Sequence, residues 1–406
     1  MRLLFLNRSF WPDPEATGQF MTELCQDLSC EHDVTIVAGP SYYVTTRHKA
    51  LFARETLGKV SIIRTWGTKL SKTNLLGRLI NLGSYYVIAG LASLRTERPD
   101  IVIAETDPPL LGALGALLKQ RWRCRLVYNV RDLYPDIAEV TGGVKNRFLR
   151  LLLERTNEFA YRAADLIIAL GSDMRERLLQ KALPSEKIAV VTDWVDCNAL
   201  RPQAASSLRV QFEDRFVVMY SGNLGLSQQL EVVLEAADRL RNDKSILFVL
   251  IGEGARKKRL QDEMRSKRLS NVWFLPYQPK ERLGESLTAA DLHLIPLMAG
   301  AAGCMVPSKV YGVLAAGRPF VAMMEDFADV ARLAVEHRVG FVTPPGDVDG
   351  LVATIRGAMN NPAELKEMGR RARRLAEEQF ERRVVTRKFA QLLETVAAAN
   401  GSAINC

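Results

Sequence analysis

Short runs rich in Val, Ile and Leu alternate with longer amphipathic segments almost from one end of the chain to the other. That rhythm is the pattern of repeated βαβ units, and it predicts parallel sheets covered by helices. Strands are expected at Leu3–Asn7, Asp33–Ala38, Val60–Thr65, Asp100–Ala104, Arg125–Val130, Asp165–Leu170 and Lys187–Val191, which would make one sheet. The stretch from Val195 to Arg215, with Pro202 and the small group Ala204–Ser207, has no sustained apolar period and reads as a linker. A second series follows at Arg215–Tyr220, Ser245–Ile251, Asn271–Leu275, Asp291–Ile295, Pro319–Met323 and Gly340–Val342, separated by helical stretches such as Leu230–Leu240 and Val330–Glu336. At 406 residues the chain exceeds what one core usually supports. The expectation is two doubly wound domains, residues 1–198 and 215–379, joined by a linker at 199–214. The last stretch, Ala363–Ala399, reads as helical throughout, and its end, residues 380–400, is expected to cross back and brace the first domain.

Composition narrows the function classes. Apolar residues at 48% and charged residues at 25% are those of an ordinary globular protein. The net charge of +9 suggests an anionic partner. The denser clusters, Lys119 to Arg125 and Arg256 to Arg259, read as solvated helix ends, and no single basic stripe or recognition motif points to nucleic acid. The cysteines form no CxxC pair and the histidines do not cluster with them, so no metal site is indicated and the thiols are expected to be free, in a reducing compartment. Leu3–Leu6 is too short for a signal-peptide core, and Leu75–Leu94 is interrupted by Arg78, Asn81 and Ser84, so neither export nor a membrane span is expected. A cytoplasmic location follows.

In open parallel sheets, ligands bind at the carboxyl ends of the strands. The loop after the first strand, Ser9 to Gln19, is Pro-rich and carries Gly18 before a helix expected near Phe20, a place for a phosphate or a sugar hydroxyl. After the fifth strand, Asn129-Val-Arg131-Asp132-Leu-Tyr-Pro-Asp puts Arg131 and Asp132 toward the cleft, as candidates for catalysis or as an ordinary structural ion pair. In the second half, Ser221-Gly222-Asn223-Leu224-Gly225 forms a Gly-rich strand-to-helix loop that could offer amides to a diphosphate. Gly252-Glu253-Gly254 suits a nucleoside but does not complete a dinucleotide fingerprint. Pro307-Ser308-Lys309 opens a helix, joining amide donors, a dipole and a cation, and so favours a pyrophosphate.

These motifs, taken in order, resemble the GT-B fold glycosyltransferases of family 4, in particular the bacterial branch that builds O-antigen, colanic acid and other surface polysaccharides. The resemblance covers nearly the whole chain and rests on RDLYPD, YSGNLGLSQQLEVVLEAA, IGEG, NVWFLPYQP, AADLHLIPL and VPSKVYGVLAAGRPFVA. It implies two Rossmann-like domains facing a cleft, and transfer of a sugar from a nucleoside-diphosphate donor such as a UDP-sugar, with retention and with neither cofactor nor required metal. Carried over by position, Gly18, Gly222, Asn223, Gly225, Pro307, Ser308 and Lys309 would contact the diphosphate or sugar, and Glu253, Leu275, Tyr277 and Gly312 the nucleoside. Asp132, Arg131 and Lys309 would be catalytic, with Lys309 stabilising the departing diphosphate and Asp132 polarising the acceptor hydroxyl.

Three departures from the family pattern stand out. Asn223 and Gln228 stand where many relatives have Arg and Lys, Cys304 and Gly312 replace two glutamates, and Arg131 replaces a histidine. Loss of the ribose-binding glutamate at Gly312 keeps a noncatalytic partner subunit open as an alternative, and a sugar-nucleotide epimerase of the same fold is another. The partners implied are a nucleotide sugar and a saccharide or lipid-linked acceptor. The segment Lys145–Phe159 mixes arginines with Phe148, Leu151 and Leu152, which suits either a core helix or peripheral contact with an anionic membrane.

Overall fold

The protein is described here from a computed structural model covering residues 1–13, 15–40, 51–68, 75–144, 146–203 and 207–399. Lys145, His48, Cys406 and residues 204–206 of the expected linker lie outside the described residues.

The first sheet consists of β1 (Arg2–Leu6), β2 (Asp33–Ala38), β3 (Phe52–Leu57), β4 (Val60–Thr65), β5 (Ile101–Ala104), β6 (Arg125–Val130), β7 (Leu166–Ala169) and β8 (Ile188–Val190). Their order is β3-β4-β2-β1-β5-β6-β7-β8. All pairs are parallel except β3, which runs antiparallel to β4 at the edge. This edge strand is missing from the sequence expectation because Phe-Ala-Arg-Glu-Thr-Leu is part-exposed along its length and so lacks a continuous apolar run.

The second sheet consists of β9 (Phe216–Ser221), β10 (Ile246–Ile251), β11 (Val272–Leu275), β12 (Leu292–Pro296), β13 (Phe320–Met323) and β14 (Gly340–Thr343), in the order β11-β10-β9-β12-β13-β14. All of its pairs are parallel. β10 is buried at every residue, as a strand covered by helices on both faces must be, and that is why it reads as an unbroken apolar run. In each sheet the strand order reverses beside the first strand, β1 or β9, which opens a crevice at the carboxyl ends there.

The final segment is not one helix. Pro362–Gln379 and Arg382–Ala398 are separate, and the chain turns at Phe380 and Glu381. At that turn Val195 bonds the Phe380 carbonyl (2.9 Å) and accepts from Arg382 N (3.0 Å). The second helix then lies on the first sheet, with Val385, Phe389 and Leu393 packed among Leu3, Phe5 and Ile103. Arg382 fixes it by two hydrogen bonds, 2.9 and 2.7 Å, to the Asp27 carboxylate. Arg373 ties the linker down by donating to the carbonyls of Leu200 and Ala315, both at 2.7 Å, and of Cys197 at 2.8 Å. No helix among the described residues is long and apolar enough to cross a membrane.

Candidate active site

Three loops of the second domain converge at the carboxyl ends of β9, β10 and β11. Gly222 N donates to Ile251 O at 2.9 Å, Gly252 N to Leu275 O at 3.0 Å, and Leu224 N to Glu253 O at 2.8 Å. The approach is so close that a Cβ on Gly252 would lie 1.9 Å from Gly222 O. Gly222 and Gly252 also hold positive φ, +149° and +146°, which side chains with a Cβ rarely adopt. Tyr277, half exposed, lies at the edge of this cluster, 3.4 Å from the same Cβ position, and Glu253 is exposed and paired with Lys257 at 2.5 Å.

The structure alters how the anion would be held. The Gly225 amide is bonded to Gln228 Oε1 (3.1 Å), and the Gly222 amide is used within the sheet, so these two donors are engaged. Gln228 braces the loop from inside. The helix after Ser308 is only seven residues long, and the amides of Val310 and Tyr311 bond back to Pro307 O and Ser308 O at 3.2 and 3.3 Å. The expected helix-end contribution is therefore small.

The Lys309 chain runs beneath Gly222, and its Nζ lies 5.5 Å from the centroid of the Tyr220 ring. Among the described residues it has no ion pair and no side-chain hydrogen bond. Burial pushes its pKa down to about 8. An unpaired, partly desolvated ammonium beneath the Gly222–Gly225 loop favours an incoming anion. At Gly312, part-buried, a Cβ would meet Leu287 Cδ1 at 3.3 Å and Leu200 Cδ1 at 3.8 Å, so a side chain there would have to share its space with both leucines.

On the first domain, Asp132 is anchored through its amide to Thr106 Oγ1 (3.1 Å) and pairs antiparallel with Met305 of the second domain. Its carboxyl is raised to about 6, chiefly by burial, against the lowering effect of Arg131. Arg131 is not free for substrate. Its guanidinium is buried against Asp193 at 2.5 Å, with its Cζ 5.1 Å from the centroid of the Phe20 ring, so the expectation of a catalytic arginine is corrected to a structural ion pair. Gly18 lies inside the first helix, which begins at Ala16 rather than near Phe20, and a Cβ there would sit 3.3 Å from Asp13 O.

Strand-end reasoning misses two buried carboxylates that it could have found. Glu105 follows β5 directly, and Asp193 lies three residues beyond β8. Glu105 is fully buried, receives both of its hydrogen bonds from Asn129 Nδ2 (2.9 and 3.1 Å), and is lifted to about 7 by burial. Of the histidines, His293 is a core residue of β12, bonded to Leu287 O at 2.9 Å and lowered by burial to about 4.

Residues 17–194 match the family described as Glycosyl transferase 4-like domain, and residues 207–375 match Glycosyl transferases group 1. A chain of Escherichia coli (strain K12) named as a colanic acid biosynthesis glycosyl transferase is 28% identical, over 96% of this chain and 98% of its own length. A glycosyltransferase of Pseudomonas aeruginosa is 26% identical over 79% of this chain and 81% of its own. Among solved structures, Anabaena HepE in complex with UDP superimposes with a TM-score of 0.74 at 17% identity, covering 97% of this chain and all (100%) of that one. Sucrose-phosphate synthase of Thermosynechococcus elongatus gives 0.81 at 15% identity, covering 98% and 100%. With both domains matched in order and the cleft built between them, the chain belongs to the family 4 glycosyltransferases of the GT-B fold.

Proposed function

We propose that this enzyme transfers a sugar, with retention, from a nucleoside-diphosphate sugar to a hydroxyl of a lipid-linked saccharide during synthesis of a cell-surface polysaccharide. The observation that carries the donor assignment is Lys309, a cation without a carboxylate partner among the described residues, lodged beneath Gly222 where the Gly222 loop meets the Gly252–Gly254 loop. As the bond from the sugar carbon to the diphosphate oxygen breaks, its electron pair goes to the diphosphate. A fixed ammonium beside that oxygen stabilises the transition state more than the ground state. Asp132, across the cleft, polarises the acceptor hydroxyl. No carboxylate occurs in Gly222–Gln228 or Pro307–Lys309, and Glu253 of the adjoining loop is paired with Lys257, so we propose that Lys309 does this work without a divalent ion. The relatives named for colanic acid and the neighbour solved with UDP support the polymer and the donor class.

The acceptor reading draws support from the first domain's outer face. The helix Arg147–Ala163 exposes Phe148, Leu151, Leu152 and Phe159 beside Arg147 and Arg155. The face of Arg147–Ala163 by itself suits peripheral contact with an anionic lipid surface on the cytoplasmic side. Calorimetric titration with UDP, GDP, ADP and their sugar conjugates tests the donor assignment: saturable binding by one base, lost in Lys309→Ala, is expected, and no binding to any of them overturns it.

A further inference from the structure

The segment that carries Lys309 belongs to the second domain but is held by the first. Leu133 N donates to Cys304 O at 2.7 Å, Arg177 Nη2 to Gly300 O at 2.9 Å, and Gly303 N to Asp173 Oδ2 at 3.1 Å. Beside this seam two helices meet N-terminus to N-terminus, Ser172–Gln180 of the first domain and Asp329–Glu336 of the second. They exchange caps. The Asp329 carboxylate accepts from Ser172 N (2.5 Å), from Asp173 N (3.2 Å) and from the Ser172 hydroxyl. The Asp173 carboxylate accepts in return from Asp329 N (3.2 Å) and from Gly303 N. Gly171 is needed for the fit, because a Cβ there would lie 2.2 Å from Asp329 Oδ2. Ser172 N and Asp173 N at one helix end, and Asp329 N at the other, are thus bonded by the other domain's side chain, while Met174 N is capped from within its own helix by Asp173 Oδ1 at 2.7 Å. The residues are 156 apart in sequence.

We propose that Asp173 and Asp329 are positioning residues, a reciprocal clasp across the cleft that keeps the 297–308 segment, and with it Lys309, in register with Asp132. The proposal depends on the assignment of Lys309 to the diphosphate for its catalytic meaning, although its structural part stands alone. In a GT-B cleft the nucleotide loops lie within one domain, whereas transfer needs both. Loss of the clasp should therefore leave nucleotide affinity intact and remove alignment.

Hydrogen–deuterium exchange on the full chain tests this. Among the described residues the Asp329 side chain reaches Ser172 and Asp173 in the first domain and, within its own helix, Arg332 at 3.9 Å. If it were merely a local cap, Asp329→Ala would speed exchange only at those amides. The clasp requires that the peptides bearing Leu133 and Gly303, which Asp329 does not touch, exchange faster by about tenfold. Gly171→Ala, which forces the two ends apart without removing a carboxylate, should do the same, and serves if Asp329→Ala fails to fold. UDP affinity by calorimetry should stay within about twofold in both variants, while the rate of sugar transfer falls by about tenfold or more. Unchanged exchange at Leu133 and Gly303 overturns the clasp. So does a UDP affinity that falls in step with the rate, since the pair would then belong to the nucleotide site itself. Should wild-type protein not bind UDP, the donor assignment fails while the exchange experiment still decides the clasp.

Discussion

Lys309 lies so close beneath Gly222 that a Cβ added to the glycine would sit 2.1 Å from the lysine Cε. Gly222→Ala must therefore displace the cation and also strain a backbone at φ +149°. We expect a stability cost of about 1–3 kcal/mol and nucleotide affinity weakened by at least about tenfold, one hydrogen-bonded charge contact being worth about 1.5–3 kcal/mol. Thermal unfolding and calorimetry on the same variant check both.

The depressed Lys309 pKa has a definite sign. Its folded value of about 8 lies below the usual lysine value, so between the two the unfolded chain binds more protons than the folded one. This group's contribution to stability is present above the unfolded value and is lost as pH falls through about 8. Lys309→Met should thus stabilise the ligand-free protein at pH 7 while abolishing nucleotide binding, and wild-type affinity should decline as pH rises above about 8. Affinity that does not vary between pH 7 and pH 9, roughly one unit either side of that value, would remove the cation from the site.

Asp132 shifts the other way. Burial raises it to about 6, so its stability contribution is present below the unfolded carboxylate value and is lost as pH rises through about 6. Activity needs the carboxylate, so transfer should fall on the acid side with an apparent pKa near 6. Asp132→Asn should lower the rate by about a hundredfold or more and abolish that limb. A rate profile with the limb intact in the variant assigns it to another group, Glu105 being the neighbour to examine.

The buried pair Arg131–Asp193 should behave as structure rather than chemistry. Asp193→Ala leaves a guanidinium uncompensated in the interior, with an expected loss of about 3–5 kcal/mol by urea unfolding. Arg131→Met with Asp193→Leu should recover most of it. If the double variant is no more stable than Asp193→Ala, the pair is not what sets the cost.

The outer helix face yields a fifth test. Phe148 is 77% exposed and Leu152 54%. Changing both to Ser should abolish sedimentation with vesicles rich in anionic lipid at low salt, and leave UDP affinity unchanged, because the helix lies outside the nucleotide loops. Wild-type protein that remains in the supernatant with such vesicles ends the membrane reading.

The strand rhythm, the two-domain division and the loops that would hold a ligand were legible in the sequence. Local period and Gly placement dictate them, and parallel strands buried on both faces write themselves as apolar runs. The edge strand β3 was not legible, since exposure erases that signal. What the side chains at those loops do was decided only in three dimensions. Arg131 looked available until Asp193, 62 residues on, took its guanidinium. Gly222 and Gly225 looked like amide donors until the neighbouring strand and Gln228 used their N–H groups. Asp173 and Asp329 carried no sequence signal at all, because each caps the other's helix from a different domain. Periodicity encodes which face of an element is buried, but partners for polar groups are chosen among elements far apart in sequence, and only the packed chain brings those elements within hydrogen-bond reach.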